Sequence, residues 1–156
     1  MFLWFIGTAV LAVAYIFRDP GFDYRLLIVG AVLPLADVVS GGAGVLHTLV
    51  LSLILMLVVM LSSIGRRPVR KLLLGLPIGT MLHLVFDGAW ATTELFWWPL
   101  GGWSFEGIRL PEASRGWLDV PFELAGLAMV TWIWRRSHLG DPVARRAFLH
   151  DGHLLT

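Results

Sequence analysis

Residues 45–64 read VLHTLVLSLILMLVVMLSSI, and this run decides the fold class. Its only ionisable side chain is His47, near the start. An α-helix needs roughly 20 apolar residues, at about 1.5 Å each, to cross the hydrocarbon core of a bilayer. The run therefore predicts a transmembrane helix. Four more apolar stretches surround it, at residues 1–17, 26–39, 72–98 and 117–134. Stretch 26–39 is short and contains Pro34 and Asp37, which predicts a kinked or partly re-entrant helix, ended by Ser40-Gly41-Gly42. The expected fold class is an all-α integral membrane protein, a bundle of about five transmembrane helices with the second short or kinked. Residues 1–136 would form the bundle and residues 137–156 a polar cytoplasmic tail.

The composition agrees. Of 156 residues, 57% are hydrophobic and 15% charged, against about 25% charged in soluble domains. A net charge of +1 offers nothing to draw a nucleic acid. The absence of cysteine excludes disulfides, thiolate metal sites and cysteine nucleophiles. The expected partner is the lipid bilayer. Residues 1–17 carry no charge and Arg18 follows them, the reverse of a secretory signal's order, so a retained helix is expected. Cytoplasmic loops are enriched in Lys and Arg. The two densest basic clusters are Arg66, Arg67, Arg70 and Lys71, then Arg135 and Arg136. With both inside, loop 99–116 and the N-terminus face out and the C-terminus is cytoplasmic: a multi-pass protein of the cell membrane. Trp97, Trp98, Trp103 and Trp117 suit the outer interface, Trp132 and Trp134 the inner one.

Counting from these boundaries at about 1.5 Å per residue places the buried ionisable groups at related depths. Asp37, His83 and Glu123 come out about 18 Å above the inner boundary, Asp87 about 24 Å and His47 about 28 Å, in a core about 30 Å thick. Charge in hydrocarbon costs at least about 2.5–3.5 kcal/mol, so such groups face the bundle interior, pair, and mark function. His83 and Asp87 are four apart and share a helical face, which Thr80, Trp90 and Glu94 would extend. Asp37, His47, His83 and Asp87 together supply two nitrogen and two oxygen ligands. That set suits Zn²⁺, with Mn²⁺ or Fe²⁺ as alternatives. A bound divalent ion would offset the carboxylate charge and lower the pKa of a coordinated water toward about 7. The same residues also fit a structural role: His83 and Asp87 as a hydrogen-bonded pair, Asp37 as a cap of its broken helix, His47 as an interfacial residue. Glu106 and Glu112 are expected to be solvated, as is Glu94 when it takes no catalytic part.

The blocks that hold these residues resemble a known group. The early block is Gly30-Ala31-Val32-Leu33-Pro34-Leu35-Ala36-Asp37, followed by Val45-Leu46-His47-Thr48. A third block, Gly79-Thr80-Met81-Leu82-His83-Leu84-Val85-Phe86-Asp87, leads to Phe96-Trp97-Trp98-Pro99. The pattern is similar to that of the bacterial family of predicted membrane-bound metal-dependent hydrolases, over residues 26–103. The resemblance implies a bacterial inner-membrane location and a ligand set of Asp37, His47, His83 and Asp87. The set is reduced: Leu35 stands where the family has its first Asp, Gly42 stands near its first His, and no His precedes His47.

The functional expectation is a membrane-embedded metal-dependent hydrolase acting on a lipid-linked or amphiphilic ester or phosphoester near the outer leaflet. Glu123, or Glu94 on the His83 face, would be the general base. The alternative is a non-enzymatic membrane scaffold or subunit whose Asp/His cluster only holds helices together.

Overall fold

The computed structural model describes residues 1–19, 21–108, 110–111 and 115–154, with Ser40 described in its backbone alone. Glu112 lies outside the described residues. Every regular element among those described is helical. Helix α1 spans Phe2–Phe17, α2 Tyr24–Val32 and α3 Leu35–Ser40. A 3₁₀ turn, Val45–His47, leads into α4, Leu49–Ser62. Helix α5, Arg67–Leu73, continues through Leu74 into α6, Gly75–Asp87. A 3₁₀ turn, Ala89–Ala91, and the short α7, Thr93–Phe96, follow. A last 3₁₀ turn, Gly116–Leu118, opens α8, Asp119–Arg136, and α9 spans Pro142–Asp151.

Local chemistry sets these limits. The second apolar stretch divides at Leu33-Pro34, because Pro34 has no N–H to donate back into the helix. Thr48 caps α4, its hydroxyl accepting the Leu51 N–H at 3.2 Å. Pro68 sits in the first turn of α5, so Arg67, Arg70 and Lys71 belong to the helix and not to a loop before it. The fourth stretch, expected over 72–98, instead stops at Asp87. Gly88 takes φ 71°, a left-handed conformation that glycine adopts without strain and that ends the helix.

One described helix, the continuous Arg67–Asp87, is long and apolar enough to cross a membrane, while Phe2–Phe17 and Leu49–Ser62 are apolar but shorter. Helix α6 is the hub. It packs most closely on α2 and also meets α1 and α4, while α8 lies along α1. The α2–α6 approach depends on glycine. Gly75 and Gly79 stand one turn apart on α6, and Gly30 faces them from α2. A Cβ on Gly30 would run into the Leu76 carbonyl, and one on Gly79 into the Leu27 carbonyl. Small residues four apart let helix backbones approach closely. Gly126 does the same for α8 against the backbone of Trp4.

The tail is not separate from the bundle. Leu139 and Leu154 are buried with Val10, Val13 and Tyr24 in one apolar cluster. The Tyr24 N–H donates to the Gly152 carbonyl at 2.8 Å. Arg25 donates to the carbonyls of Leu149 and His150 at 2.8 and 2.9 Å, closing the C-terminal end of α9. A polar composition concealed this because the anchoring side chains, Leu139 and Leu154, lie outside the charged helix between them.

Candidate metal centre

His47, His83 and Asp87 converge. One ligand atom from each lies within 4.8 Å of the other two. All three side chains are buried. They reach the same point from two places in the chain. His83 and Asp87 are one turn apart on α6, and His47 sits in the 3₁₀ turn before α4.

Each of the three has a partner on its outer side. His83 Nδ1 lies 2.7 Å from the carbonyl of Ala31. A carbonyl only accepts, so Nδ1 carries the proton and the neutral ring presents its lone pair at Nε2. That Nε2 is buried with no hydrogen-bond partner in the protein. The ring stacks on Phe5 at 3.8 Å between centroids, which fixes its plane. His47 Nδ1 lies 3.0 Å from Asp37 Oδ2, and the His47 backbone N–H donates to the same oxygen at 3.1 Å. Asp37 therefore stands behind His47, one layer outside the three converging groups. Carboxylates and carbonyls on the far nitrogen of a histidine are the usual supports of metal-binding imidazoles. Arg115 holds Asp87: its Nη2 donates to Oδ1 at 3.0 Å and also to the Asp87 main-chain carbonyl.

The loop geometry explains why Asp37 can reach. Gly41, at φ 107°, turns the chain back after α3. Gly44 then passes so close to the Asp37 carboxylate that a Cβ there would overlap it. Toward the interior, Ser52 of α4 donates to Thr80 Oγ1 at 3.1 Å, and Thr80 donates to the Pro77 carbonyl at 3.0 Å. These bonds tie α4 to α6 about one turn from His83.

The donor set fits a divalent ion. Neighbouring ligands on a tetrahedral Zn²⁺ at 2.0–2.1 Å stand about 3.3 Å apart, and the three ligand atoms here lie within 4.8 Å of one another. Three protein ligands leave a fourth position for water or substrate.

The two expected general bases are elsewhere. Both Glu123 oxygens accept the Leu3 N–H, at 3.1 and 3.2 Å, so this carboxylate caps the start of α1. Glu94 is exposed on α7, off the His83 face, because α6 ends at Gly88 and the stripe through Trp90 and Glu94 stops there. Sequence reasoning missed Arg115, Phe5 and the Ala31 carbonyl. Arg115 had a signal: it is a basic residue in the segment that the charge rule puts outside, so it needed a local reason to be there. Nothing in the sequence marks Phe5 or a main-chain oxygen.

Comparison of the chain with protein-family models, with curated proteins and with solved structures finds no match.

Proposed function

We propose that the protein is an integral membrane protein of about five spans whose His47–His83–Asp87 site binds one divalent metal ion and hydrolyses a lipid-linked or amphiphilic ester or phosphoester. The observation that carries this reading is the convergence of the three ligands, each with its own outer partner. Embedding in lipid is supported by buried polar side chains beside an exposed apolar helix face. The buried set includes Asp37, His47, Thr48, Ser52, Thr80, His83 and Asp87, while Leu53, Ile54, Leu57, Val58 and Leu61 of α4 are exposed. Water would penalise that arrangement, and hydrocarbon favours it.

When bound, Zn²⁺, Mn²⁺ or Fe²⁺ would supply Lewis-acid polarisation of the scissile group and a more acidic water. The protein's own part is to hold both imidazoles with Nε2 directed inward, through the Ala31 carbonyl and Asp37. It also fixes Asp87 through Arg115 and keeps bulk water out with Phe5 and the helix seams. Glu123 and Glu94 serve the fold and the surface in this reading.

The test uses the full chain in lipid nanodiscs with a panel of amphiphilic carboxylic and phosphoric esters. Turnover that needs a divalent ion, stops with chelator and is lost in His83→Ala and Asp87→Asn supports the assignment. Metal binding without turnover across the panel refutes hydrolysis. It favours instead a structural ion in a membrane scaffold, a reading that the complete burial of His47, His83 and Asp87 already lends weight.

A further inference from the structure

Asp87 sits at the last position of α6, and the group that holds it comes from a distant part of the chain, from Arg115 just before the 3₁₀ turn that opens α8. The final carbonyls of a helix lack partners within the helix. Arg115 meets one of them together with the side chain: a single nitrogen, Nη2, donates to the Asp87 carbonyl and to Oδ1. One donor bridging the main chain and the side chain of the same residue locks the carboxylate relative to its own helix. The Arg115 Nη2 also lies 3.8 Å from where a Cβ on Gly88 would stand, an ordinary contact distance.

The guanidinium also has a seat independent of Asp87. It lies over the Phe122 ring, 5.9 Å from its centroid, and Nη1 is 3.8 Å from Met1 Sδ. The Arg115 side chain is 20% exposed and the Asp87 side chain 0%. Arg115 thus closes the outer side of the site while the histidines close the inner side.

We infer that Arg115 is a positioning residue for the metal-binding carboxylate, one that stays on Asp87 while the divalent ion is bound. The inference rests on the metal-centre reading above. It opposes the simpler role of a counter-ion that the metal displaces, and the two differ in sign. Taking away a displaced counter-ion leaves the site more negative and tightens cation binding. Taking away a positioning group loosens it, by the 10–100-fold typical of outer partners of metal ligands.

Zn²⁺ affinity is measured on the detergent-purified full chain by competition with a chromophoric chelator. Arg115→Gln is expected to bind about 10–100-fold more weakly than the unsubstituted chain. Arg115→Lys is expected to recover part of the loss, because one ammonium can make both bonds that Nη2 makes. Equal or tighter binding by Arg115→Gln overturns the inference. Should that variant fail to fold, the unsubstituted chain with ¹⁵N-labelled arginine gives the second readout. The Arg115 side-chain resonance should shift with stoichiometric Zn²⁺ and stay protected from solvent. No shift, or release to solvent exchange, overturns the inference. An unsubstituted chain that takes up no Zn²⁺ overturns the metal centre itself.

Discussion

Replacing Asp37 separates a residue that orients a ligand from one that is a ligand. In the structure Oδ2 of Asp37 accepts two hydrogen bonds from His47, from the backbone N–H at 3.1 Å and from Nδ1 at 3.0 Å. Asp37→Ala removes this shared acceptor and leaves two buried donors, at about 1–3 kcal/mol each less whatever an entering water restores. Asp37→Asn keeps the shape and one oxygen but loses the charge that favours the Nδ1-protonated tautomer. Metal affinity should then fall about 10–100-fold, equivalent to about 1.4–2.8 kcal/mol. The assay is chelator competition for Zn²⁺ in detergent, with ¹⁵N chemical shifts reporting the His47 tautomer. His83→Ala, which removes a donor outright, should lose far more. The reasoning fails if Asp37→Asn binds Zn²⁺ as tightly as the unsubstituted chain. It also fails if Asp37→Asn loses binding as completely as His83→Ala, since Asp37 would then be a ligand.

Three further outcomes follow from the geometry. Gly79→Ala puts a methyl where the Leu27 carbonyl lies, so α2 and α6 must separate; overpacking of about 1–3 kcal/mol should appear as a lower unfolding temperature and weaker metal binding, since the Ala31 carbonyl moves with α2. Ser52→Ala removes the bond to Thr80 and should cost about 0.6 kcal/mol in unfolding assays, with Zn²⁺ affinity unchanged. Burial raises the Asp23 carboxyl, but the Arg25 side chain and backbone N–H outweigh it and hold the group below its ordinary 3.8. A carboxylate lowered on folding stabilises fully above its unfolded value, and that stability is lost as pH falls through the folded one. Limited proteolysis should therefore release residues 137–154 more readily as pH drops below about 4, and Asp23→Asn should weaken that pH dependence, with Asp151, whose carboxyl His150 also holds low, supplying the remainder.

Much of this was legible in the sequence, and the parts that were not share a cause. His83 and Asp87 were found together because four residues of helix impose their shared face. His47 and Asp37 were legible as buried polar groups in apolar runs, but their relation was not. Which of them points inward depends on the turn made by Gly41 and Gly44, a long-range consequence of backbone conformation. The expected stripe failed at Trp90 and Glu94 because one left-handed glycine, Gly88, ended the helix that would have carried it. Glu123 was placed near the site by depth alone, and depth says nothing about direction around a helix axis; it faces the α1 terminus. The packing of the tail was not legible for a different reason. Average polarity hid the few apolar side chains, Leu139 and Leu154, that hold it to α1 and α2.

The central claim is that three buried side chains form a metal centre, and elemental analysis tests it most directly. The full chain, purified in detergent without chelator and dialysed against trace Zn²⁺, Mn²⁺ and Fe²⁺, is measured beside His83→Ala. The account predicts about one divalent ion per chain and its loss in His83→Ala with helical content retained. An unsubstituted chain that carries no divalent ion, or a His83→Ala chain that keeps it, contradicts the account.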